Sequence, residues 1–310
     1  MTDTDFHRYL AAKRRVDDRG LDRRLLERLS AGLRRETTAG DTLRVVEVGA
    51  GIGTMVERLV EWDLLPPGRT RYTAVDVDPD SVAAIPERLT EWATGRDVTA
   101  ADTDEGLRLV DDDRAVLVDP VVAEATTYLG DGADGADVAD RQEPDLLVGM
   151  ALLDVLGLDG LADLLAGLAP GGWYYFPVTF DGATRFAPTH PADRAVERHY
   201  HRHMDRKPGG DSRAGTHALG RLQAMERVAW VDVAGSDWAV RPVDGEYPGD
   251  EAYVARHVLA TVEEAVGEMA GSGFERILDG WLDCRRRQLA AAELVYTTHQ
   301  MDLLGRIRDP

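Results

Sequence analysis

A group of glycines preceded by an acid is the feature of this sequence with the clearest chemical meaning. Glu47 lies two residues before Gly49, and Gly51 and Gly53 follow at alternate positions. An apolar, β-branched run precedes them and a segment with helical spacing follows. Glycines let the chain turn sharply out of a strand and let a ligand approach the backbone closely. The pattern therefore predicts a ligand-binding loop between a strand and a helix.

A second acid, Asp76, lies near the end of the next apolar run, residues 71–77. A carboxylate at the end of the second strand can accept both hydroxyls of a ribose that is held over the first glycine loop. The alternative is a tight strand-to-helix turn beside an unrelated acid. The combination of strand, loop, helix and second-strand acid favours a nucleotide-like ligand.

The spacing of the glycines separates two classes of nucleotide site. A dinucleotide fingerprint requires a glycine at position 54, where this chain has Thr54. Glycines at 49, 51 and 53 with an acid at 47 are instead the pattern of class I S-adenosylmethionine-dependent methyltransferases, which residues 45–180 resemble. The resemblance implies S-adenosyl-L-methionine as the cofactor. It also implies an α/β, doubly wound, Rossmann-like sheet of seven strands, of which the last is antiparallel.

The resemblance also implies roles for individual residues. Glu47 would lie near the ammonium group of the cofactor, and Asp76 would bind its ribose. The fourth-strand motif, residues 145–150, would place its last two residues beside the methionine moiety. Besides the two acids, the implied cofactor-binding residues are Gly49, Ala50, Gly51, Gly53, Val77, Gly149 and Met150.

The family usually has an acid followed by a small residue where the third strand meets the adenine amino group. Three acids of this chain are candidates: Asp102, Asp119 and Glu124. Glu124 is followed by Ala125 and is preferred by its distance to Asp145. We therefore assign Glu124 and Ala125 to the cofactor site and keep Asp102 and Asp119 as alternatives.

Three side chains after the predicted fifth strand are candidates for a general base. Asp181, His190 and His201 belong to a segment rich in His, Arg, Pro and Gly, at the carboxyl edge of the sheet, where ligands bind. The nearby residues His199, His203 and Asp205 have a spacing that could chelate a metal together with His201 on a helix. A solvated segment is the simpler interpretation, and we predict no metal site.

Hydrophobic periodicity predicts an N-terminal helical segment, residues 1–40, and the resemblance implies a methyltransferase domain over residues 41–310. Insertions at about 181–214 and 250–291 would form a helical cap. Residues 152–168 are predicted to be one leucine-rich helix, and residues 285–287, three arginines, an exposed helix face. The Asp- and Gly-rich stretch 130–140 is predicted to be a solvated loop.

The composition restricts the class of partner. The chain has 310 residues and a formal net charge of -20, with 37 Asp, 19 Glu, 34 Arg and only two Lys. A protein that binds nucleic acid needs a cationic surface, so nucleic acid is disfavoured as a partner. The excess of Asp and the near absence of Lys indicate a halophilic protein. The alternative is a genome rich in G+C, in which Arg replaces Lys.

Cysteine content and hydropathy indicate the compartment. Cys284 is the only cysteine, so an internal disulfide is impossible. The first residues are charged where a signal peptide would be apolar, and no run of 18 apolar residues occurs. We therefore expect a cytoplasmic protein without membrane attachment, and its oligomeric state stays open.

The sequence thus predicts an enzyme that transfers a methyl group from S-adenosyl-L-methionine to a small-molecule acceptor. An NAD-dependent oxidoreductase is an alternative that Thr54 and Glu47 disfavour. A non-catalytic S-adenosylmethionine-binding protein and an RNA or protein methyltransferase are the others.

Overall fold

The computed structural model describes residues 3–130, 142–269, 271 and 273–309, which fold into a single sheet flanked by helices. The helices are α1 (Asp3–Gly20), α2 (Arg23–Glu36), α3 (Thr54–Glu61), α4 (Pro79–Ala93), α5 (Ala125–Leu129), α6 (Leu153–Leu156), α7 (Leu161–Ala166), α8 (Asp193–Met204), α9 (Ala214–Ala224), α10 (Glu251–Met269) and α11 (Glu275–Ala290). The strands are β1 (Thr42–Val48), β2 (Gly68–Asp76), β3 (Thr99–Thr103), β4 (Gly106–Val110), β5 (Arg114–Val122), β6 (Leu146–Val148), β7 (Trp173–Ala187), β8 (Val228–Gly235), β9 (Trp238–Val240) and β10 (Val295–Ile307). Beyond Gly130, the predicted loop 130–140 lies outside the described residues.

The strand order is β3-β4-β5-β2-β1-β6-β7-β10-β8, with β9 also paired to β10. The five strands β5, β2, β1, β6 and β7 are parallel, and β10 runs antiparallel to both of its neighbours. Seven of these strands, from β5 to β8 in this order, form the doubly wound sheet that the sequence predicts. Strand β10 is the last of the seven in the sequence, and it is the antiparallel one. The α/β Rossmann-like fold is therefore confirmed. Its strand order reverses between β1 and β6, which is where such sheets bind ligands.

The sequence analysis missed the hairpin of β3 and β4. Four of the five residues of β3 are exposed, so the strand lacks the apolar alternation that reveals a strand in a sequence. The turn depends on Gly106, whose φ is 127° and whose added Cβ would lie 2.4 Å from the carbonyl oxygen of Val118. The hairpin therefore extends the sheet beyond β5 without adding a hydrophobic signal to the sequence.

The predicted leucine-rich helix over residues 152–168 is wrong as a single helix. The chain forms α6, a short 3-10 helix at Leu158–Gly160, and α7. Gly157 between them has a φ of 87°, and an added Cβ would lie 2.9 Å from the Cα of Gly209. Because the backbone of residue 209 packs against this glycine, the helix is interrupted there although the leucines continue.

Strand β7 is longer than predicted and includes residues 181–187, which the sequence analysis placed in the first cap insertion. The register with β10 continues to the pair Val295 and Ala187, which explains the extension. The helical part of the segment is α8, which packs against β7 and α10. Helix α10 also packs against α11 and α1, so α1, α8, α10 and α11 form one layer, whereas α9 packs against α6 and β8.

The prediction of an exposed arginine face on α11 is wrong for Arg285. Its guanidinium is buried, donates to the carbonyl oxygen of Pro188 at 2.6 Å, and pairs with Asp193 at the start of α8. Arg286 and Arg287 are exposed, as predicted. Of the three adjacent arginines, Arg285 thus joins α11 to α8. The sequence of three arginines does not indicate which of them is buried.

A buried carboxylate, that of Asp302 in β10, connects three parts of the fold. It accepts hydrogen bonds from the amide of Asp22 at 2.9 Å, the amide of Val178 at 2.9 Å and the hydroxyl of Tyr175 at 3.0 Å. Val178 has a φ of 58°, an unusual conformation for a β-branched residue. Asp302 therefore satisfies donors at an irregularity of β7 and at the start of α2.

We expect Asp302→Ala to lower the free energy of unfolding by about 3 kcal/mol or more, because it leaves three donors without an acceptor. Urea denaturation of the full chain measures this. The matched control is Asp104→Ala in the exposed turn between β3 and β4, which should change stability by less than about 0.5 kcal/mol. Equal losses in the two variants would contradict the role given to Asp302.

Candidate functional site

A cavity of about 690 Å³ lies at the carboxyl edge of the sheet, beside the point where the strand order reverses. The loop after β1, the ends of β2 and β5, and the segment after β6 form one part of its wall. Helices α1, α8 and α10, with β7, β9 and β10, form most of the rest. Its volume is in the range of sites for small molecules and cofactors.

The glycine loop after β1 has a backbone that other residues rarely adopt. Gly49, Gly51 and Gly53 have φ angles of 67°, 52° and 78°. A Cβ on Gly49 would lie 2.8 Å from a methyl carbon of Leu152. Gly49 and Gly51 line the cavity, whereas Gly53 is buried at the start of α3 beside Ile85. The first two glycines can thus contact a ligand, and the third lets the loop enter the helix.

Asp76, at the end of β2, faces the glycine loop across the edge of the sheet. Its Oδ2 accepts a hydrogen bond from the amide of Gly51 at 2.7 Å, and its Oδ1 accepts one from the amide of Asp78 at 3.0 Å. Each carboxylate oxygen has a second lone pair, so two hydroxyl groups can still donate to it. Val77 beside it also lines the cavity and is 65% exposed, which leaves an apolar surface next to the carboxylate.

Glu47 is buried below the glycine loop and lines the cavity. Burial raises the pKa of Glu47 to about 8, although the hydroxyl of Tyr72, which donates to it at 2.7 Å, and the charge of Arg58 act in the opposite direction. The carboxyl group is therefore largely protonated at neutral pH. A cation placed beside it would favour its ionised form.

The three candidates for the adenine-binding acid lie in different places. Among the residues that the structure describes, Glu124 lines the cavity together with Ala125, whereas Asp119 in β5 and Asp102 in β3 do not. Glu124 caps α5 and accepts a hydrogen bond from the amide of Thr127 at 2.7 Å. The amide of Ala123 donates to the carbonyl oxygen of Asp76 at 2.9 Å and so holds this segment beside β2.

The two residues assigned to the methionine end differ in exposure to the cavity. Met150 lines it, and its sulfur accepts a hydrogen bond from Arg58 at 3.2 Å. Gly149 is absent from the described wall of the cavity, and a Cβ there would lie 3.0 Å from the ring of Phe176. Gly149 therefore permits close packing of the segment after β6 against β7.

The three candidate bases, by contrast, lie outside the described wall of the cavity. Asp181 accepts hydrogen bonds from the amide and hydroxyl of Thr216, at 2.8 Å and 2.7 Å. The Nδ1 atom of His190 accepts from the amide of Ala192. The Nε2 atom of His201 lies 3.0 Å from the hydroxyl of Thr184, and burial lowers the pKa of this histidine. The hydrogen bonds of Asp181 and His201 hold α9 and α8 beside the extended part of β7, and that of His190 is local to the turn before α8.

The residues considered for metal binding also have separate partners. His199 packs against the ring of Phe274, His203 lies 2.8 Å from a carboxylate oxygen of Glu268, and Asp205 accepts a hydrogen bond from the amide of Ser212. In the described part of the chain, no group of three His, Cys, Asp or Glu side chains has an arrangement that could hold a metal ion. Within the same residues, no helix has the length and apolarity needed to cross a membrane.

Residues that the sequence analysis did not select complete the wall of the cavity. They come from the N-terminal helix, the cap helices, and the strands and turns after β6: Phe6, Tyr9, Leu10, Lys13, Asp154, Tyr200, Met204, Trp238, His257, Tyr296 and Gln300. Tyr200 and Met204 are four residues apart and share a face of α8, whereas His201 points to β7. The one available signal was the presence of tyrosines within charged helices, as at Tyr9 and Tyr200.

No family model and no curated protein matches this chain. Among solved structures, it is similar to an S-adenosylmethionine-dependent methyltransferase from Thiobacillus denitrificans in complex with S-adenosyl-L-homocysteine, with 14% identity, 92% of each chain covered and a TM-score of 0.43. A second such enzyme complex, from Geobacter sulfurreducens, has 13% identity, covers 92% of this chain and 91% of that one, and has a TM-score of 0.40.

Phosphoethanolamine N-methyltransferase 2 from Haemonchus contortus, with S-adenosyl-L-methionine, has 12% identity and a TM-score of 0.41. The match covers 92% of this chain but only 53% of that one, so this chain spans about half the length of that protein. All three TM-scores are below 0.5. The fold is therefore identified from the strand order, and the candidate site is identified from the geometry of its residues.

The raised pKa of Glu47 predicts a pH-dependent stability difference between the protein and its Glu47→Gln variant. The native state retains a proton that the unfolded chain releases, so Glu47 makes the free energy of unfolding decrease as the pH rises from about 4.5 towards about 8. The decrease is at most about 1.4 kcal/mol per pH unit. Glutamine can still accept from Tyr72 but does not titrate.

Urea denaturation at several pH values tests this prediction. The stability of Glu47→Gln relative to the unsubstituted protein should rise with pH, while other titrating groups contribute equally to both and cancel. Glu27→Gln, on the exposed face of α2, is the control and should show a constant difference. A difference for Glu47→Gln that does not vary with pH would contradict the raised pKa.

Proposed function

We propose that this protein binds S-adenosyl-L-methionine and transfers its methyl group to a small-molecule acceptor. The observation that carries the proposal is the hydrogen bond between the amide of Gly51 and the carboxylate of Asp76, at the switch point of the sheet. It joins the glycine loop and the second-strand acid in one cavity, which continues into a part lined by aromatic side chains.

The residues of the cavity fit the parts of this cofactor. Asp76 has free lone pairs for the two ribose hydroxyls, and Val77 offers an apolar surface to the adenine. Glu124 and Ala125 lie where they would meet the edge of the adenine, as the resemblance implies. Glu47 would ionise beside the cofactor ammonium, which supplies the positive charge that its buried carboxyl group lacks.

When bound, the cofactor would supply a methyl group activated by a sulfonium, and the acceptor would attack the methyl carbon in line with the thioether sulfur as the leaving group. The protein then contributes mainly position and the exclusion of water. Helices α1 and α10 provide the exclusion, because Tyr9 and His257 stack across the cavity wall with ring centroids 3.8 Å apart. We propose structural roles for Asp181, His190 and His201, since each is bonded outside the cavity.

The charges of the cavity support a small acceptor rather than nucleic acid. Five of its described lining residues are acids: Glu47, Asp76, Asp78, Glu124 and Asp154. Lys13 lines it as well, but its ammonium pairs with Asp17 at 2.9 Å. A phosphate backbone would meet this acidic wall without a cationic partner of its own.

Binding of S-adenosyl-L-homocysteine, measured by isothermal titration calorimetry, tests the cofactor. We expect the full chain to bind it and not NAD, and Asp76→Ala to weaken binding by about 100-fold, because two hydrogen bonds to a carboxylate are lost. Asp80→Ala, on the exposed start of α4, is the control and should bind normally.

Two results would contradict this assignment. Unchanged affinity in a folded Asp76→Ala variant would reject the ribose contact. Binding of NAD without binding of S-adenosyl-L-homocysteine would reject methyl transfer in favour of an oxidoreductase. Circular dichroism establishes that the variant is folded before its affinity is compared.

A further inference from the structure

A second group of cavity residues lies close together around an acid. Tyr9, Tyr200, Trp238 and Tyr296 line the cavity with Asp154, and we call these five residues the aromatic chamber. They come from α1, α8, β9, β10 and α6. Burial raises the pKa of Tyr9, Tyr200 and Tyr296. The charge of Asp154 acts in the same direction on Tyr9 and Tyr200, and Tyr200 acts in the same direction on Tyr296. The chamber is built by long-range packing of five separate elements.

The carboxyl group of Asp154 is only partly satisfied by the protein. Burial raises the pKa of Asp154 to about 6, although backbone hydrogen bonds at Asp154 and Phe180 and the charge of Lys13 act in the opposite direction. Within the described residues, its Oδ1 atom has no hydrogen-bond partner. Because the last side-chain torsion of aspartate is broad, either oxygen can turn towards the cavity. A ligand with a hydrogen-bond donor and a positive charge would supply the missing hydrogen bond and would offset the cost of burying the ionised carboxylate.

Three further polar atoms of the cavity residues lack partners among the described residues. They are the acceptor Oε1 of Gln300, the donor Nε1 of Trp238 and the hydroxyl oxygen of Thr298, which can both donate and accept. With Asp154, the chamber and its border thus provide two unpaired acceptors, one unpaired donor and one unpaired hydroxyl. Groups that can accept outnumber the group that only donates, so the ligand that fits best carries N–H groups.

Charge points to the same class of ligand. The ammonium of Lys13, 5.6 Å from the ring of Trp238, is paired with Asp17, so Asp154 has no ion pair among the residues that the structure describes. An anionic acceptor would be repelled by this carboxylate in a desolvated site. Aromatic faces attract cations, most strongly where water is excluded. A cavity that combines several such faces with an unpaired carboxylate is therefore suited to a small ammonium ion.

We propose that the aromatic chamber binds the methyl acceptor as a small primary or secondary amine, whose ammonium lies against the aromatic rings and donates to Asp154. This assignment names the acceptor class of the function proposed above and rests on it. Before transfer, the ammonium gives one proton to the carboxylate of Asp154. The nitrogen lone pair then forms a bond to the methyl carbon, and the carbon–sulfur bond breaks with its electron pair remaining on the sulfur. The products are a methylated ammonium, a neutral thioether and protonated Asp154, which releases its proton to water.

Three probes of similar shape and different charge test the proposal: benzylamine, benzyl alcohol and benzoate. Each is titrated by calorimetry into the full chain saturated with S-adenosyl-L-homocysteine and into the free chain. We expect benzylamine to bind at least about tenfold more tightly than benzyl alcohol, and benzoate to bind least. With S-adenosyl-L-methionine, mass spectrometry should detect N-methylbenzylamine.

Variants identify the chamber as the amine site. Asp154→Asn keeps the shape of the side chain and should weaken benzylamine binding at least about tenfold, with the affinity for S-adenosyl-L-homocysteine unchanged within about twofold. Asp159→Asn, five residues away with an exposed side chain, is the control and should change neither affinity. Tyr200→Leu should weaken benzylamine binding, and Tyr200→Phe should restore it.

The proposal is overturned if benzyl alcohol or benzoate binds as tightly as benzylamine, if none of the three binds, or if Asp154→Asn and Tyr200→Leu leave benzylamine binding unchanged. Failure of the proposed function gives a different result, because the unsubstituted chain would then not bind S-adenosyl-L-homocysteine. Benzylamine binding to the free chain that depends on Asp154 would support the chamber even in that case.

Discussion

The buried guanidinium of Arg58 is the interaction on which the enclosed site depends. It belongs to α3, directly after the glycine loop, and donates to Asp18 at 2.6 Å and to Asp17 at 3.3 Å in α1. It also donates to the hydroxyl of Thr54 at 3.1 Å and to the sulfur of Met150 at 3.2 Å. Burying a charge is expensive unless its partners are well placed. Helix α1 therefore cannot move away from α3 without leaving this charge unpaired, and the glycine loop, the segment after β6 and α1 are held as one unit.

Fixing α1 has consequences for the whole cavity. The switch point of a doubly wound sheet supplies only an open crevice. Here Leu10 of α1 approaches the glycine loop so closely that a Cβ on Gly51 would lie 3.1 Å from its methyl carbon. Tyr9 stacks on His257 and thereby joins α1 to α10. The N-terminal helix is thus part of the cavity wall rather than an appendage to the sheet, and that wall depends on contacts between elements about 250 residues apart in sequence.

The sequence predicts the parts of the site that depend on local pattern. A glycine loop and an acid that ends the next strand meet whenever the two parallel strands are neighbours. The sequence therefore predicts that Gly49, Gly51 and Asp76 lie together. Asp154 and Tyr200 could not be predicted, because their place in the cavity depends on where α6 and α8 pack, and a leucine-rich run gives no sign of its break at Gly157. The candidate bases, such as Asp181 and His201, are predicted from their place in the segment after strand five, at the carboxyl edge of the sheet. Strand β7 continues past the edge of the cavity, and both side chains lie outside the described wall of the cavity.

The net charge of -20 and the acids of the cavity have different electrostatic effects. Carboxylates on the surface are solvated, and salt screens them over about 10 Å or less. Glu47 and Asp154 are desolvated instead, and burial raises the pKa of the first to about 8 and of the second to about 6. Each of these two acids gains most from a cation brought into contact with it, where water and salt are excluded. The proposed preference for a positively charged ligand therefore depends on two desolvated carboxyl groups of the cavity and does not depend on the overall composition of the chain.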